Sequence, residues 1–171
     1  LFLEKDENTC RELARKMNEY NEQRKFIESQ LSEEAMQQAK IGFAHKSAVV
    51  VSGSGKWWNP GVVGIVAGKL ANSLGKPCLV LAKSENGEFR GSGRGTEGLD
   101  LVLALADCKD LLLHWGGHPM AVGLSIDESH LEEFTNRLIN AVDKQIGKTT
   151  REPVLEVDTF IKQSELNHKL L

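Results

Sequence analysis

The sequence predicts a mixed α/β domain, built on a sheet of four or more strands flanked by helices and preceded by one long helix. Three observations carry this. Short β-branched runs such as Ser47–Ser52 (SAVVVS) and Pro77–Ala82 (PCLVLA) alternate with stretches of helical periodicity. An Asn86-Gly87 pair sits between two extended segments, a strong hairpin signal. The first forty residues are almost all polar apart from one narrow apolar seam.

In chain order, Leu1–Leu3 suggests the end of a buried strand. Asp6 and Asn8 are N-cap candidates for a helix running to about Lys40. Leu13, Met17, Tyr20, Ile27 and Leu31 recur at three- and four-residue steps, with Arg24 interrupting them. A helix of about thirty residues reaches roughly 45–50 Å, longer than a small domain is wide. A strut between two domains explains it better than a coiled coil, because the seam is short and broken. After the first strand, Asn59-Pro60 predicts a cap followed by proline at the first helical position. Val62, Val63, Ile65, Val66 and Leu70 continue that helix to Gly75, with Gly61, Gly64 and Gly68 along one side. Each helical glycine costs up to about 1 kcal/mol against alanine, so close backbone approach is the expected return. The hairpin then leads into a strand near Phe89. Leu99–Leu113 has a helical pattern, Pro119–Ile126 reads as a strand, and Asp127 caps a final amphipathic helix bearing Leu131, Phe134, Leu138, Ile139 and Val142. Residues 147–153 read as a linker, Val154–Ile161 alternates as a strand does, and Ser164 is placed at the start of another helix.

Charge is unevenly spread. Residues 1–40 carry 7 Lys+Arg against 9 Asp+Glu, residues 41–126 carry 8 against 6, and residues 127–171 carry 6 against 9. The mildly basic middle is where a polyanion would dock first. Cys10, Cys78 and Cys108 are odd in number and lack metal-ligand spacing, so they read as reduced thiols packed as small hydrophobes. No segment has the length or character of a membrane span or signal peptide. The chain begins at Leu1 and stops at Leu171, and is read as a piece of a longer protein.

Three segments stand out chemically. Arg90-Gly91-Ser92-Gly93-Arg94-Gly95-Thr96 alternates glycine with donors. Read as a loop, Gly91 and Gly93 would free backbone N–H groups for an anion, Arg94 would add a bidentate fork, and Ser92 and Thr96 would add hydroxyls. A flexible turn is the plain alternative, and the glycines lack the Gly-Lys-Ser/Thr ending of a nucleotide P-loop. In His114-Trp115-Gly116-Gly117-His118-Pro119, Gly116 and Gly117 would turn the chain sharply and hold His118 at a surface for phosphate contact or auxiliary acid work. His114 is assigned to packing or surface, and no residue is assigned to a metal. In Lys56-Trp57-Trp58-Asn59-Pro60-Gly61, a helix N-terminus faces solvent beside two tryptophans. Trp57 is a candidate for base stacking, Trp58 is mainly packing, and Asn59 is a candidate phosphate contact. No Ser-His-Asp or Cys-His set and no Asp/His cluster suited to two divalent cations is present in the sequence. It looks like a phosphate binder without an engine.

Taken in order, these segments resemble the DHH-associated domain of RecJ-type exonucleases. Trp58-Asn59-Pro60-Gly61-Val62-Val63-Gly64-Ile65-Val66-Ala67 is similar to the family's Trp-His-x-Gly-Val-x-Gly-Ile-x-Ala segment. Gly91-Ser92-Gly93-Arg94 matches its Gly-Ser-Gly-Arg motif, and Gly116-Gly117-His118-x-Met120-Ala121-x-Gly123 matches its Gly-Gly-His-x-Met-Ala-x-Gly signature. The chain departs from the pattern at Asn59, commonly histidine, and at Gly95, commonly serine. An amide at 59 still hydrogen-bonds but cannot shuttle a proton.

The resemblance implies residues 1–45 as a connector helix from a catalytic DHH domain, 46–146 as the substrate-binding domain, and 147–171 as a linker and the start of an OB-like domain. It implies a cytoplasmic exonuclease of DNA repair and recombination that removes nucleotides from the 5′ end of single-stranded DNA. Mn²⁺ or Mg²⁺ would be held on the DHH domain and none by this chain, which alone would be inactive. Ser92 and Arg94 would seat a terminal or nearby phosphate, and Gly116, Gly117 and His118 would face the scissile region. A single-strand-binding protein or a helicase is the kind of partner implied. Two alternatives stay open. One is a DHH-family phosphodiesterase acting on short oligoribonucleotides, cyclic dinucleotides or small phosphorylated nucleotides. The other is a non-catalytic scaffold module.

Overall fold

In a computed structural model that describes residues 2–147, 157 and 159–162, the chain forms a five-stranded sheet between two helical layers. Helix α1 spans Glu7–Gly42 and is capped by Asp6, whose carboxylate accepts from Thr9 N at 2.8 Å. Strand β1 (Val49–Gly53), helix α2 (Val63–Leu74) and strand β2 (Cys78–Lys83) make a parallel β-α-β unit. Strand β3 (Glu88–Arg94) returns antiparallel through the Asn86-Gly87 turn, where Gly87 takes a φ of 89°. Helix α3 (Leu101–Ala106), capped by Asp100, leads through a single 3-10 turn to the hairpin β4 (Leu112–His118) and β5 (Ala121–Asp127). Helix α4 (Leu131–Ile146) closes the described domain. The strand order is β1-β2-β3-β5-β4, so β3 is central and β4 is an edge.

Alternation along each strand divides the core in two. On one face, Val50, Leu79, Leu81, Phe89, Val122, Leu124 and Ile126 pack against Leu101 and Leu105 of α3 and Phe134 and Leu138 of α4. On the other, Val49, Val51, Cys78, Val80 and Ala82 pack against Val63, Val66, Ala67 and Leu70 of α2 and then Leu31, Ala35 and Ala39 of α1. Helix α2 covers β2 and β3 on this second face and stops short of β5 and β4, leaving part of the sheet open.

The structure corrects several expectations. Phe2 and Leu3 are 99% and 97% exposed and lie in no strand. The seam of α1 buries Leu31, Ala35 and Ala39, whereas Met17 and Tyr20 are exposed, because among the described residues the packing partners of the helix, β1 and α2, meet its C-terminal half. Pro60 lies before α2 rather than in its first turn, and the helix begins with Val62 as its backbone N-cap. The segment 99–113 is a short helix, a 3-10 turn and the start of a strand. Asp127 caps the 3-10 turn Glu128–His130 that precedes α4, accepting from Ser129 N at 2.9 Å. The linker, the OB-like start and Ser164 fall, apart from a few isolated positions, outside the described residues.

Candidate nucleic-acid interface

Gly91-Ser92-Gly93-Arg94 departs furthest from its expected conformation. These residues are no loop: they form the last part of central strand β3, paired with β2 on one side and β5 on the other. Their backbone N–H groups are committed to the sheet and cannot cradle an anion. The glycines have another cause. A Cβ at Gly91 would fall 2.6 Å from Val80 O and 2.7 Å from Leu81 Cγ, and one at Gly93 would fall 2.7 Å from Val122 Cγ2. Both sit over crowded core. On the opposite face the same alternation sets Arg90, Ser92 and Arg94 in a line.

The hairpin extends that line across the sheet. His114-Trp115-Gly116-Gly117-His118 is strand β4, not a turn, and its register with β5 is Gly116↔Gly123 and His118↔Ala121. Combined with the β3–β5 register, this gives three rows on the open face: Arg94–Ala121–His118, Ser92–Gly123–Gly116 and Arg90–Ser125–His114. Arg94 and His118 therefore share one face, two strand spacings apart, roughly 10 Å. The middle row is nearly bare. A Cβ at Gly116 would meet nothing within 4 Å, and one at Gly123 would meet its nearest atom at 4.0 Å. Over the Ser92 and Ser125 rows lies a cleft of about 450 Å³, walled by Pro60 and Val63 and bordered by His114. Arg94 and His118 belong to the next row and are not among its lining residues.

Each side chain is held for a local reason. Arg94 Nη1 donates to Gly93 O at 2.9 Å. A methyl group at Gly64 would come within 3.3 Å of Arg94 Nη2 and 3.4 Å of Ser92 Oγ, so both donors sit under the first turn of α2. The glycine stripe of that helix thus serves the close approach expected of it at Gly64, more loosely at Gly68. His118 ends β4 beside the Pro119-Met120 turn. The carbonyls of that turn accept from Leu101 N at 3.0 Å and Gly95 N at 2.9 Å, which ties the turn to β3 and α3. Gly117 has a φ of 143°, and a Cβ there would strike Ala121 O at 2.3 Å, so no other residue fits. At the family's departure Gly95, a Cβ would lie 3.1 Å from Pro119 O. Thr96 is half-buried, and its carbonyl accepts from Leu99 N.

Apart from Pro60, the tryptophan segment stays outside the cleft. Trp58 is buried, donating from Nε1 to Glu34 of α1 at 2.8 Å, as a packing residue should. Trp57 meets Phe26 of α1 edge-on at 5.4 Å, with the Lys56 ammonium 4.5 Å from its ring. Its ring is occupied by packing against α1, and it is not in the cleft lining. Asn59 Oδ1 accepts from Gly61 N at 2.8 Å, so the amide closes the turn before α2 rather than capping the helix. Arg90, Ser125 and His114 carry no binding role in the sequence reading. Following the alternation of β3, β5 and β4 as strands would have exposed them by their two-residue spacing from Ser92, Gly123 and Gly116. Among the described residues no three His, Cys, Asp or Glu come together, so these residues offer no donor set for a pair of divalent cations. No described helix is long and apolar enough to cross a membrane.

This mixed sheet carries two arginines, two histidines and two serines beside bare glycine backbone on its partly covered face, a set of donors whose chemistry suits phosphate oxygens. Residues 45–147 match the DHHA1 domain, and the chain belongs to that family. It is 35% identical over 159 residues to the single-stranded-DNA-specific exonuclease RecJ of Bacillus subtilis, an alignment covering 92% of this chain and 20% of that protein. It is 28% identical over 173 residues to RecJ of Haemophilus influenzae, covering 98% and 30%. The crystal structure of RecJ from Thermus thermophilus in complex with Mg²⁺ superposes with a TM-score of 0.76 at 26% identity, over 91% of this chain and 23% of that one. Its complex with Mn²⁺ gives the same TM-score. The chain thus spans less than a third of the length of these relatives.

Proposed function

We propose that this chain is the strand-holding part of a metal-dependent exonuclease that removes nucleotides from the 5′ end of single-stranded DNA in repair and recombination. Residues 1–45 serve as the connector, 46–146 as the substrate-binding domain, and 147–171 lead toward an OB-like domain. The observation that carries this reading is the row Arg94–Ala121–His118, which sets a guanidinium and an imidazole on one open sheet face. Arg94 and Ser92 take a terminal or nearby phosphate, and His118, at the opposite end of the row, contacts the scissile phosphate. Gly116 and Gly123 keep the floor low enough for a backbone to lie between them, and Gly117 lets β4 take the close approach to β5 that carries Gly116 and His118 toward the scissile region.

Mn²⁺ or Mg²⁺ would activate water in such an enzyme, held by residues beyond those described here. The contribution of this chain is positional: it fixes the strand end so that attack is in line. The test uses the full-length protein with Mn²⁺ and single strands labelled at either end. The reading expects the 5′ label to be released first and blunt duplexes to be spared. Release from the 3′ end alone, or metal-dependent cleavage by the isolated 171-residue chain, would overturn it. Salt should weaken strand binding, since each phosphate contact releases counterions.

A further inference from the structure

The third row of the open face, Arg90–Ser125–His114, has no assigned role, and one of its members is out of place as a mere structural residue. Ser125 is 6% exposed, and its hydroxyl makes no hydrogen bond among the described residues. A buried hydroxyl normally finds a partner, and one without it marks a place where a ligand or water supplies the bond. Ser125 stands between Arg90 on β3 and His114 on β4, directly paired to both, and all three line the 450 Å³ cleft. Arg90 keeps one carboxylate neighbour, Glu88, at 3.6 Å, with its own side chain 60% exposed, so its guanidinium is only loosely engaged.

We propose that Arg90, Ser125 and His114 form a second phosphate subsite, which takes an internucleotide phosphate of the strand whose end lies at the Arg94–His118 row. The inference rests on the function proposed above and deepens it. A guanidinium, a hydroxyl and an imidazole supply donors from three adjacent strands, the set a phosphate's oxygens require. The two cationic rows are four residues apart on β3, about 13 Å at strand rise. Between them lies the Ser92–Gly123–Gly116 row, where no side chain stands in the way at Gly116 or Gly123. A strand lying in this trough runs along β5 and β4 beside α2, with charge at both ends and bare backbone beneath its middle. The subsite therefore reads strand length rather than the strand's terminus.

The experiment measures binding by the full-length protein in chelator, so that nothing is cleaved. The probes are a fluorescent 5′-phosphorylated single-stranded oligonucleotide, and a 5′-mononucleotide or inorganic phosphate as competitor. Arg90→Ala should weaken oligonucleotide binding roughly tenfold and reduce the slope of log affinity against log salt by about 0.7. Ser125→Ala should weaken it by a few-fold while leaving the melting temperature unchanged or higher, because the lost hydroxyl has no internal partner. Competition by the mononucleotide should be insensitive to both changes and sensitive to Arg94→Ala. Wild-type oligonucleotide binding by both Arg90→Ala and Ser125→Ala, with Arg94→Ala defective, would overturn the subsite and leave the proposed function standing. Loss of mononucleotide competition in Arg90→Ala would also overturn it, since the rows would then be one site. Normal binding in Arg94→Ala and Arg90→Ala alike would sink the parent reading.

Discussion

Arg94 and His118 are paired in register to the same residue, Ala121, one from each side of β5. A ligand that spans them must cross that strand. Truncating Arg94 removes a charge-assisted contact, so Arg94→Ala in the full-length protein should lower kcat/KM on single strands by roughly 30–100-fold, about 2–3 kcal/mol. Arg94→Lys should recover only part of this, because a point charge does not replace the guanidinium fork. His118→Ala should lower kcat more than it raises KM if its contact is made at the scissile phosphate. Steady-state kinetics on 5′-labelled strands checks all three, and unchanged turnover in Arg94→Ala would favour a scaffold.

The glycines of α2 and β3 should separate by what their missing methyl would meet. At Gly68 a Cβ would lie 3.8 Å from Arg94 Cγ, an ordinary contact, so Gly68→Ala should stabilise the chain by up to about 1 kcal/mol through helix propensity. At Gly64 it would press on Arg94 Nη2 and Ser92 Oγ, so Gly64→Ala should keep stability and lose activity by moving the donors. At Gly91 it would collide with Val80 O at 2.6 Å, and Gly91→Ala should destabilise by about 1–3 kcal/mol. Urea unfolding of the three variants, beside nuclease rates of the full-length versions, gives the ranking.

Much of the architecture was legible because the buried strands β1 and β2 and the helices α2 and α4 follow their own periods. Strand β4 was not. As an edge strand it buries little, so Leu113, His114, Trp115, Gly116 and Gly117 carry no alternation to read. The Gly-Ser-Gly-Arg segment misled for the opposite reason, since glycines that signal a loop in isolation here spare Val80, Leu81 and Val122 a collision. Motif matching supposed the wrong local geometry: the donor groups on this face are side chains of a sheet, not backbone N–H groups of a loop. Trp57 shows the limit of residue type alone, for an aromatic beside a helix mouth is here committed to Phe26. Arg24 interrupts the apolar seam of α1 because its Nη1 is bound to Glu28 at 2.5 Å.

Two of the three thiols should resist modification. Burial pushes Cys78 up to about 12 and Cys108 to about 11, and the thiolate is the reactive form. Cys10 lies half-buried on the largely exposed N-terminal part of α1. Native-state alkylation followed by mass spectrometry should label Cys10 and reach Cys78 and Cys108 only on unfolding. Early labelling of Cys78 would show that β2 opens against α2 on its own.

A buried carboxylate fastens α1 to α2. Glu28 is 6% exposed at the α1–α2 contact, bound through Oε1 to Lys69 Nζ and through Oε2 to Arg24 Nη1. The hydrogen bond from Lys69 holds its carboxyl below the ordinary carboxylate value, outweighing the opposing effect of burial, with the positive charges of Lys69 and Arg24 adding to it. A folded-state value below the unfolded one means the stabilisation is complete above the unfolded value and is lost as pH falls through the folded one. Acid should therefore loosen this joint from the carboxylate range downward, and neutral-to-alkaline pH should not. Lys69→Met strips one cation from a buried carboxylate whose other partner remains, and Lys69 itself is half exposed to solvent. That should cost about 1–3 kcal/mol at neutral pH, between the values for exposed and buried pairs. Glu28→Gln should flatten the acid limb of the stability profile, measured by urea midpoints at descending pH. An acid limb identical to that of the unaltered chain would mean that the triad does not secure the helix.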